Sequence, residues 1–82
     1  MNITVKFFSS LMEYLPTNTD DNSMSLVVDG GTTTRDILSR FKVPDEEIQT
    51  VMKNGVFQPD QDRDLPLQDG DTITVWPSIQ GG

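Results

Sequence analysis

The sequence predicts a small α+β fold in which a mixed sheet of about five strands is covered on one face by a helix. The chain has 82 residues, which suits a single small domain with a thin hydrophobic core. Short stretches in which apolar and polar residues alternate indicate strands, and two stretches with helical spacing lie between them. The predicted order of elements is β-α-β-α-β-β-β, without repeats or linkers.

The first strand, a short helix and the second strand follow one another from the N-terminus. Apolar and polar residues alternate over residues 3–8, which places Phe8 on the outer face of the first strand. A short helix is predicted over about residues 9–15, because its apolar residues have i, i+3, i+4 spacing and Pro16 ends it. A polar loop leads to the second alternating strand over residues 24–28.

The main helix is predicted over about residues 34–42. Thr33 stands directly before it and Asp36 follows three residues later, which approximates a capping box with Asp in place of Glu. The apolar residues after this start have helical spacing, and Pro44 lies just beyond the other end. This helix should bury its apolar stripe against the sheet.

Three strands complete the sheet. The third is predicted over residues 48–53, and Asn54-Gly55 then indicates a two-residue hairpin, because both turn positions need positive φ. The fourth strand is short and covers residues 56–58, and the last covers residues 72–76. Two leucines in the loop before the last strand are expected to close the bottom of the core: Leu65 and Leu67.

Charge and composition exclude several classes of function. The chain has 6 basic and 13 acidic residues, a net charge of −7 at pH 7, and neither histidine nor cysteine. A disulfide framework and a thiolate metal site are therefore excluded, and the commonest general base is missing. Nucleic acid and anionic membranes are poor partners for an acidic chain, whereas a basic protein partner is favoured. The sequence has no signal-peptide pattern or membrane span, so the cytoplasm is the expected location.

A short tail follows the predicted domain at residues 1–77. Pro77 fixes φ and cannot donate to the sheet, so it is expected to end the last strand. Residues 78–82 then span at most about 17 Å at roughly 3.4 Å per residue. Gly81 and Gly82 allow the backbone to pass where a Cβ would clash. The tail can therefore present the carboxylate of Gly82 inside a narrow cleft of another protein, and we expect that carboxylate to be the reactive group.

A carboxylate must be activated before it can react, most simply as an acyl-adenylate made with ATP. The sequence offers no phosphate-binding loop, since Asp29-Gly30-Gly31-Thr32-Thr33 lacks the required lysine. The chain is therefore expected to bind no cofactor, and a separate activating enzyme is expected to use the ATP.

Apolar side chains at the root of the tail predict a surface for partners. Phe8, Trp76 and Ile79 can form one exposed patch, and such patches and tryptophans are typical of interfaces. The alternative is that Trp76 folds back over the edge of its own domain or packs on the helix at residues 9–15. Two acidic residues near the same place could meet basic residues of the activating enzyme: Asp69 and Asp71.

Two motifs give this sequence a family resemblance. Residues 5–11 (Val-Lys-Phe-Phe-Ser-Ser-Leu) resemble the first strand and following helix of the ubiquitin-like sulfur carriers, and Asp69-Gly70-Asp71 with residues 77–82 resembles their final turn and tail. That family includes the small subunit of molybdopterin synthase and the sulfur carrier of thiamine biosynthesis. The resemblance covers essentially the whole chain. It implies a ubiquitin-like β-grasp roll, in which the first and last strands are neighbours and run parallel.

The resemblance also implies roles for particular residues. Gly82 would carry a thiocarboxylate, and Gly81 would allow access to the clefts of an E1-like adenylyltransferase and of the sulfur acceptor. Further residues would bind partners: Phe8, Asp69, Asp71, Trp76, Pro77, Ser78, Ile79 and Gln80.

Chain length and the additional helix favour the molybdopterin branch of this family. There the acceptor is the large synthase subunit, which holds the catalytic residues. Val75-Trp76 stands where that branch tends to have two phenylalanines, and Ser78 where a second proline is common. Carriers for thiamine, cysteine or homocysteine synthesis, or for tungsten-cofactor assembly, therefore remain alternatives.

Other functions stay open from the sequence alone. The same tail could be conjugated to lysines, which would make the protein a ubiquitin-like modifier, or the domain could be a binding module that does not use its tail. Residues 60–64 resemble the start of a calcium loop, but Leu65 replaces the glycine at the sixth position. The carboxylates of residues 45–47 could serve a hydrolase, but they adjoin a helix end without an apolar pocket.

Overall fold

The computed structural model describes residues 1–16 and 21–78. Within these residues the chain forms one mixed sheet and one α-helix, with three short 3-10 segments between them. The strands are β1 (Asn2–Phe7), β2 (Ser23–Val27), β3 (Ile48–Lys53), β4 (Val56–Phe57) and β5 (Thr72–Pro77). The helix is α1 (Thr34–Arg40), and the 3-10 segments are Ser9–Tyr14, Asp45–Glu47 and Asp60–Asp64.

The order of strands in the sheet is β2-β1-β5-β3-β4. The first and last strands of the chain are central neighbours and run parallel, whereas β1 with β2, β3 with β5 and β3 with β4 are antiparallel. The predicted α+β fold, with the parallel pairing of its first and last strands, is therefore confirmed.

One face of the sheet carries the core. Alternate residues of β1, β3 and β5 point into it, and α1 packs its Ile37 and Leu38 against them. Val51 is fully buried while Met52 is only half-buried, which settles the inward register of β3. The six inward side chains of these strands are each at most 1% exposed: Ile3, Val5, Phe7, Val51, Ile73 and Val75.

Local turn and capping signals of the sequence are confirmed. The side chain of Thr33 accepts from the Asp36 amide at 3.1 Å, and the Asp36 carboxylate accepts from the Thr33 amide at 3.0 Å, so the capping box is complete. Asn54 and Gly55 have φ of 53° and 81°, as the hairpin between β3 and β4 requires.

Both predicted helices are confirmed, with small differences in type and length. The segment after β1 is a 3-10 helix at Ser9–Tyr14, and α1 ends at Arg40, since Lys42 adopts a left-handed φ of 62° that no helix continues. One expectation about the core was wrong. Leu67 is buried as expected, but Leu65 is 54% exposed. The Leu65 amide closes the 3-10 segment by donating to the Asp62 carbonyl at 3.1 Å, and its side chain lines a surface pocket instead of the core.

In the part of the chain that the structure describes, no helix has the length and apolar character needed to cross a membrane.

Candidate functional site

Phe8 and Trp76 form a stacked aromatic pair at the root of the tail. The parallel register of β1 and β5 places Phe7 opposite Val75, and the Phe8 amide donates to the Val75 carbonyl at 3.1 Å. The two rings are therefore neighbours, with centroids 5.0 Å apart and an interplanar angle of 3°. Trp76 thus packs on Phe8, and both side chains remain partly exposed.

This aromatic pair lies on the face of the sheet opposite α1. Val75 is buried in the core, so its neighbour Trp76 points to the other face, where it stands opposite Thr50 of β3. A partly exposed aromatic pair on the uncovered face of a small sheet suits contact with another protein. The structure brings Phe8 and Trp76 together as expected, and their role in docking stays a prediction.

Pro77 and Ser78, where the tail begins, are both held to the domain by contacts with the start of β3 and the segment before it. Pro77 is the last residue of β5, as the sequence predicts, and it is itself paired with Ile48 in the sheet. The Ser78 amide then donates to the Glu47 carbonyl at 2.9 Å, and the Ser78 hydroxyl donates to the Glu46 carbonyl at 3.1 Å. Proline removes only its own amide donor, so the next residue can still form a backbone hydrogen bond to the segment beside it.

The remaining predicted tail residues lie outside the described part of the chain. These are Ile79, Gln80, Gly81 and Gly82.

The two acidic residues of the last turn are both used within the fold. Asp69 is exposed, and its carboxylate accepts from the Asn2 amide at 2.6 Å. Asp71 is 7% exposed and accepts from the Asn54 side chain and the Gln68 amide, each at 2.8 Å. Partner binding by these two residues stays a prediction, but Asp71 also closes the turn that leads into β5.

The pKa of Asp71 is lowered from its usual value. Burial raises it, but the hydrogen bonds from the Gln68 amide and the Asn54 side chain, with the nearby charge of Lys53, outweigh burial. The ionised form is thus favoured in the folded state. Its contribution to stability is present above the pKa of about 4 in the unfolded chain and is lost as the pH falls through the lower pKa of the folded state.

We expect Asp71→Asn to lower the free energy of unfolding by about 1–3 kcal/mol at pH 7, because hydrogen bonds to a buried charge are lost. Denaturant unfolding at pH 7 and at about pH 3 measures this. The difference between the variant and the original protein should shrink at the lower pH. An equal difference at both pH values would contradict the role of the charge.

Sequence reasoning missed a hydrogen bond that joins two short segments close to Ser78. The Tyr14 hydroxyl donates to the Glu47 carboxylate at 2.8 Å, which ties the segment Ser9–Tyr14 to the segment Asp45–Glu47. A surface pocket of about 360 Å³ lies next to this bond and is lined by Ser10, Glu47, Pro77 and Ser78. The bond joins residues 33 positions apart, so no local pattern could indicate it.

The same bond raises the pKa of Tyr14 to about 12, with smaller contributions from desolvation and from the charges of Glu47, Glu13 and Glu46. The chain has one tyrosine, so absorbance near 295 nm, where tyrosinate absorbs, reports this residue alone. We expect a titration midpoint close to 12. In Glu47→Ala we expect a lower midpoint that stays above the ordinary value of about 10, because desolvation and the charges of Glu13 and Glu46 remain. Equal midpoints in the two proteins would contradict the hydrogen bond.

The acidic segment that resembles a calcium loop forms ion pairs within the fold. Arg35 contacts Asp64 at 2.6 Å and Asp60 at 3.2 Å, which holds the segment Asp60–Asp64 against α1. Over residues 1–16 and 21–78, no group of three or more His, Cys, Asp or Glu side chains is placed to hold a metal ion.

A mixed sheet with parallel central strands, one helix across it and an aromatic pair beside the C-terminal tail defines a ubiquitin-like β-grasp protein. Residues 1–81 match the family model described as Mut7-C ubiquitin, and the chain belongs to that family. The resemblance drawn from the sequence is therefore confirmed at the level of the ubiquitin-like class. Among curated proteins, none matches this sequence.

Solved structures with the same fold cover nearly the whole chain. The HVO 2177 protein of Haloferax volcanii is 26% identical, with a TM-score of 0.75 over 100% of this chain and 87% of that one. Small archaeal modifier protein 1 of the same organism is 19% identical, with a TM-score of 0.68 over 95% and 98%.

A third similar structure is a complex. It contains subunits 1 and 2 of the molybdopterin-converting factor of Helicobacter pylori, and the matching chain is 21% identical, with a TM-score of 0.61 over 100% of both chains. The second and third matches are distant in sequence and show the fold alone.

Proposed function

We propose that this protein is a sulfur carrier whose reactive group is the carboxylate of Gly82. The observation that carries the proposal is the arrangement around the last strand. This strand of a ubiquitin-like fold carries one ring of an aromatic pair, and three residues separate its Pro77 from Gly81-Gly82. In this proposal the domain binds its partner proteins and positions the Gly82 carboxylate, and the catalytic groups belong to those partners.

The proposed chemistry has two steps. The Gly82 carboxylate attacks the α-phosphorus of ATP on an E1-like adenylyltransferase, which forms an acyl-adenylate and releases pyrophosphate. A sulfide-level donor then attacks the acyl carbon, AMP leaves, and a thiocarboxylate remains. Binding energy between the domain and the enzyme positions the carboxylate.

The charge of the chain supports a protein partner of opposite sign. A net charge of −7 favours encounter with a basic surface. Asp69 is exposed close to the N-terminal end of β5 and adds to this acidic surface. The aromatic pair would supply the apolar centre of the contact.

For the acceptor, we propose the large subunit of a molybdopterin synthase. Support comes from the Helicobacter pylori complex, in which a protein of the same fold is assembled with subunit 2 of the molybdopterin-converting factor. Thiamine, cysteine and homocysteine synthesis use carriers of the same kind and would need only a different acceptor.

A second candidate function is conjugation to lysines. The observation that favours it is the fold shared with a small archaeal modifier protein. Both functions pass through the same adenylate, and they differ in whether sulfur or a lysine amine attacks it.

A reconstituted reaction tests the proposal. The purified protein is mixed with ATP and each E1-like adenylyltransferase of its source organism, and pyrophosphate release is measured with and without the protein. We expect carrier-dependent release with one of these enzymes, and trapping of the adenylate at Gly82 by hydroxylamine. Release that does not depend on the protein, with no trapped product, would overturn the proposal.

A further inference from the structure

We propose that Ser78 is a positioning residue that fixes the point and direction at which the tail leaves the domain. The functional half of this inference rests on the proposed function, because it concerns how the Gly82 carboxylate is presented. The structural half stands on the contacts of Ser78 alone.

Ser78 is attached to the domain at two points. Its amide donates to the Glu47 carbonyl at 2.9 Å, and its hydroxyl donates to the Glu46 carbonyl at 3.1 Å. Two bonds to consecutive carbonyls restrict both the position of a residue and its orientation. Pro77 directly before it has its own φ fixed by its ring, so the backbone is restricted on the near side as well.

The segment that holds Ser78 is itself held in place. Within Asp45–Glu47, the Glu47 amide donates to the Pro44 carbonyl at 3.0 Å, and the Glu47 carboxylate accepts from the Tyr14 hydroxyl at 2.8 Å. Ile48 then continues directly into the sheet opposite Pro77. The segment Asp45–Glu47 is therefore held in place by Tyr14, which lies in the segment after β1, and by β3, which follows it directly.

An irregularity in the sheet lies directly beside the anchor of Ser78. Ile48 pairs with Pro77 and Thr50 pairs with Trp76, so Gln49 is an additional residue on β3. Such bulges bend the strand that carries them and are over-represented next to functional sites, where they re-aim a side chain or end the pairing. Here the bulge lies between Trp76 of the aromatic pair and the residues that anchor Ser78.

The anchor limits how far the reactive group can reach. Four residues follow Ser78, and an extended chain covers roughly 3.4 Å per residue, so the Gly82 carboxylate lies at most about 14 Å from Ser78. A tail free from Pro77 onward would reach about 17 Å. The partner that adenylates Gly82 must therefore place its catalytic atoms within about 14 Å of Ser78.

Amide hydrogen exchange tests the structural half. We expect the Ser78 amide to exchange at least about tenfold more slowly than in an unstructured peptide, because it is bonded to the Glu47 carbonyl at the end of the β3–β5 pair. Exchange at the unstructured rate would overturn the proposal. This measurement needs no partner, so it stands even if the protein is never adenylated.

Adenylation kinetics test the functional half, with the activating enzyme that responds in the reconstituted reaction. Ser78→Pro removes both bonds and Ser78→Ala removes one. We expect kcat to fall about tenfold in Ser78→Pro and less in Ser78→Ala, with KM nearly unchanged, because docking is intact and only the tail is misplaced. Ser39→Ala, an exposed serine of α1, is the matched control and should keep the original kcat.

Two results would overturn this half. One is an unchanged kcat in Ser78→Pro, and the other is a rise in KM without a fall in kcat, which would make Ser78 a docking contact instead. A lack of adenylation in the unaltered protein would contradict the proposed function and leave the exchange result as the test of the anchor.

Discussion

Removal of Gly81 and Gly82 is expected to abolish adenylation and every transfer that depends on it. The shortened chain ends at Gln80, so its carboxylate would lie about 7 Å short of the proposed position at roughly 3.4 Å per residue. Misplacement of a reacting group by a few ångströms removes the advantage of proximity, which is worth many orders of magnitude in rate. Pyrophosphate release in the presence of the activating enzyme measures the effect.

The fold should not change in this variant. Gly81 and Gly82 have no side chains, and the core residues that the structure describes extend no further than Val75, so the free energy of unfolding is expected to stay within about 0.5 kcal/mol of the original value. A matched variant, Gly81→Ala, keeps the length and the terminal carboxylate but adds a Cβ in the narrow cleft, and we expect it to retain partial activity. Full activity of the shortened chain would show that the protein does not use its tail.

The second large effect is expected at the aromatic pair. Trp76→Ala should weaken binding to the activating enzyme at least about 30-fold, since truncation of a central aromatic hot spot costs about 2 kcal/mol or more. Trp76 stacks on Phe8 with ring centroids 5.0 Å apart, so the substitution also removes the support of the second ring. Titration calorimetry, or KM for the carrier in the adenylation assay, measures this loss.

Two comparisons separate a docking role from general damage. Trp76→Phe keeps an aromatic ring and should recover most of the affinity. Val27→Ala removes an apolar side chain that is 77% exposed on β2, two strands away from β5, and should leave affinity unchanged. Equal losses in Trp76→Ala and Val27→Ala would contradict the assignment of the aromatic pair as the docking centre.

The elements of this fold could be predicted from sequence because each depends on neighbours in the chain. The capping box at Thr33 needs only the residue three positions later, and the hairpin at Asn54-Gly55 needs only two residues with positive φ. Alternation alone identified the buried face of β1 and β5. The exposure of Leu65 could not be predicted in this way, because it depends on the 3-10 segment Asp60–Asp64, which ends in a hydrogen bond from the Leu65 amide to the Asp62 carbonyl.

The candidate site was only partly predictable for a related reason. Phe8 and Trp76 could be placed together once their strands were expected to be parallel neighbours. The hydrogen bond between Tyr14 and Glu47 joins residues 33 positions apart, and the one between Ser78 and Glu46 joins residues 32 positions apart. Neither contact leaves a periodic pattern in the sequence. The roles of Gly81 and Gly82 are predicted from the sequence and lie beyond the residues that the structure describes.

The intact mass of the protein isolated from its native cells tests the central claim most directly. We expect a species heavier by about 16 Da, one oxygen replaced by sulfur, with the added mass confined to the C-terminal peptide that ends at Gly82. The same spectrum shows whether Gly82 is the terminal residue of the mature chain. A chain that continues past Gly82, or a free acid accompanied only by species in which Gly82 is joined to lysines of other proteins, would contradict the sulfur-carrier assignment.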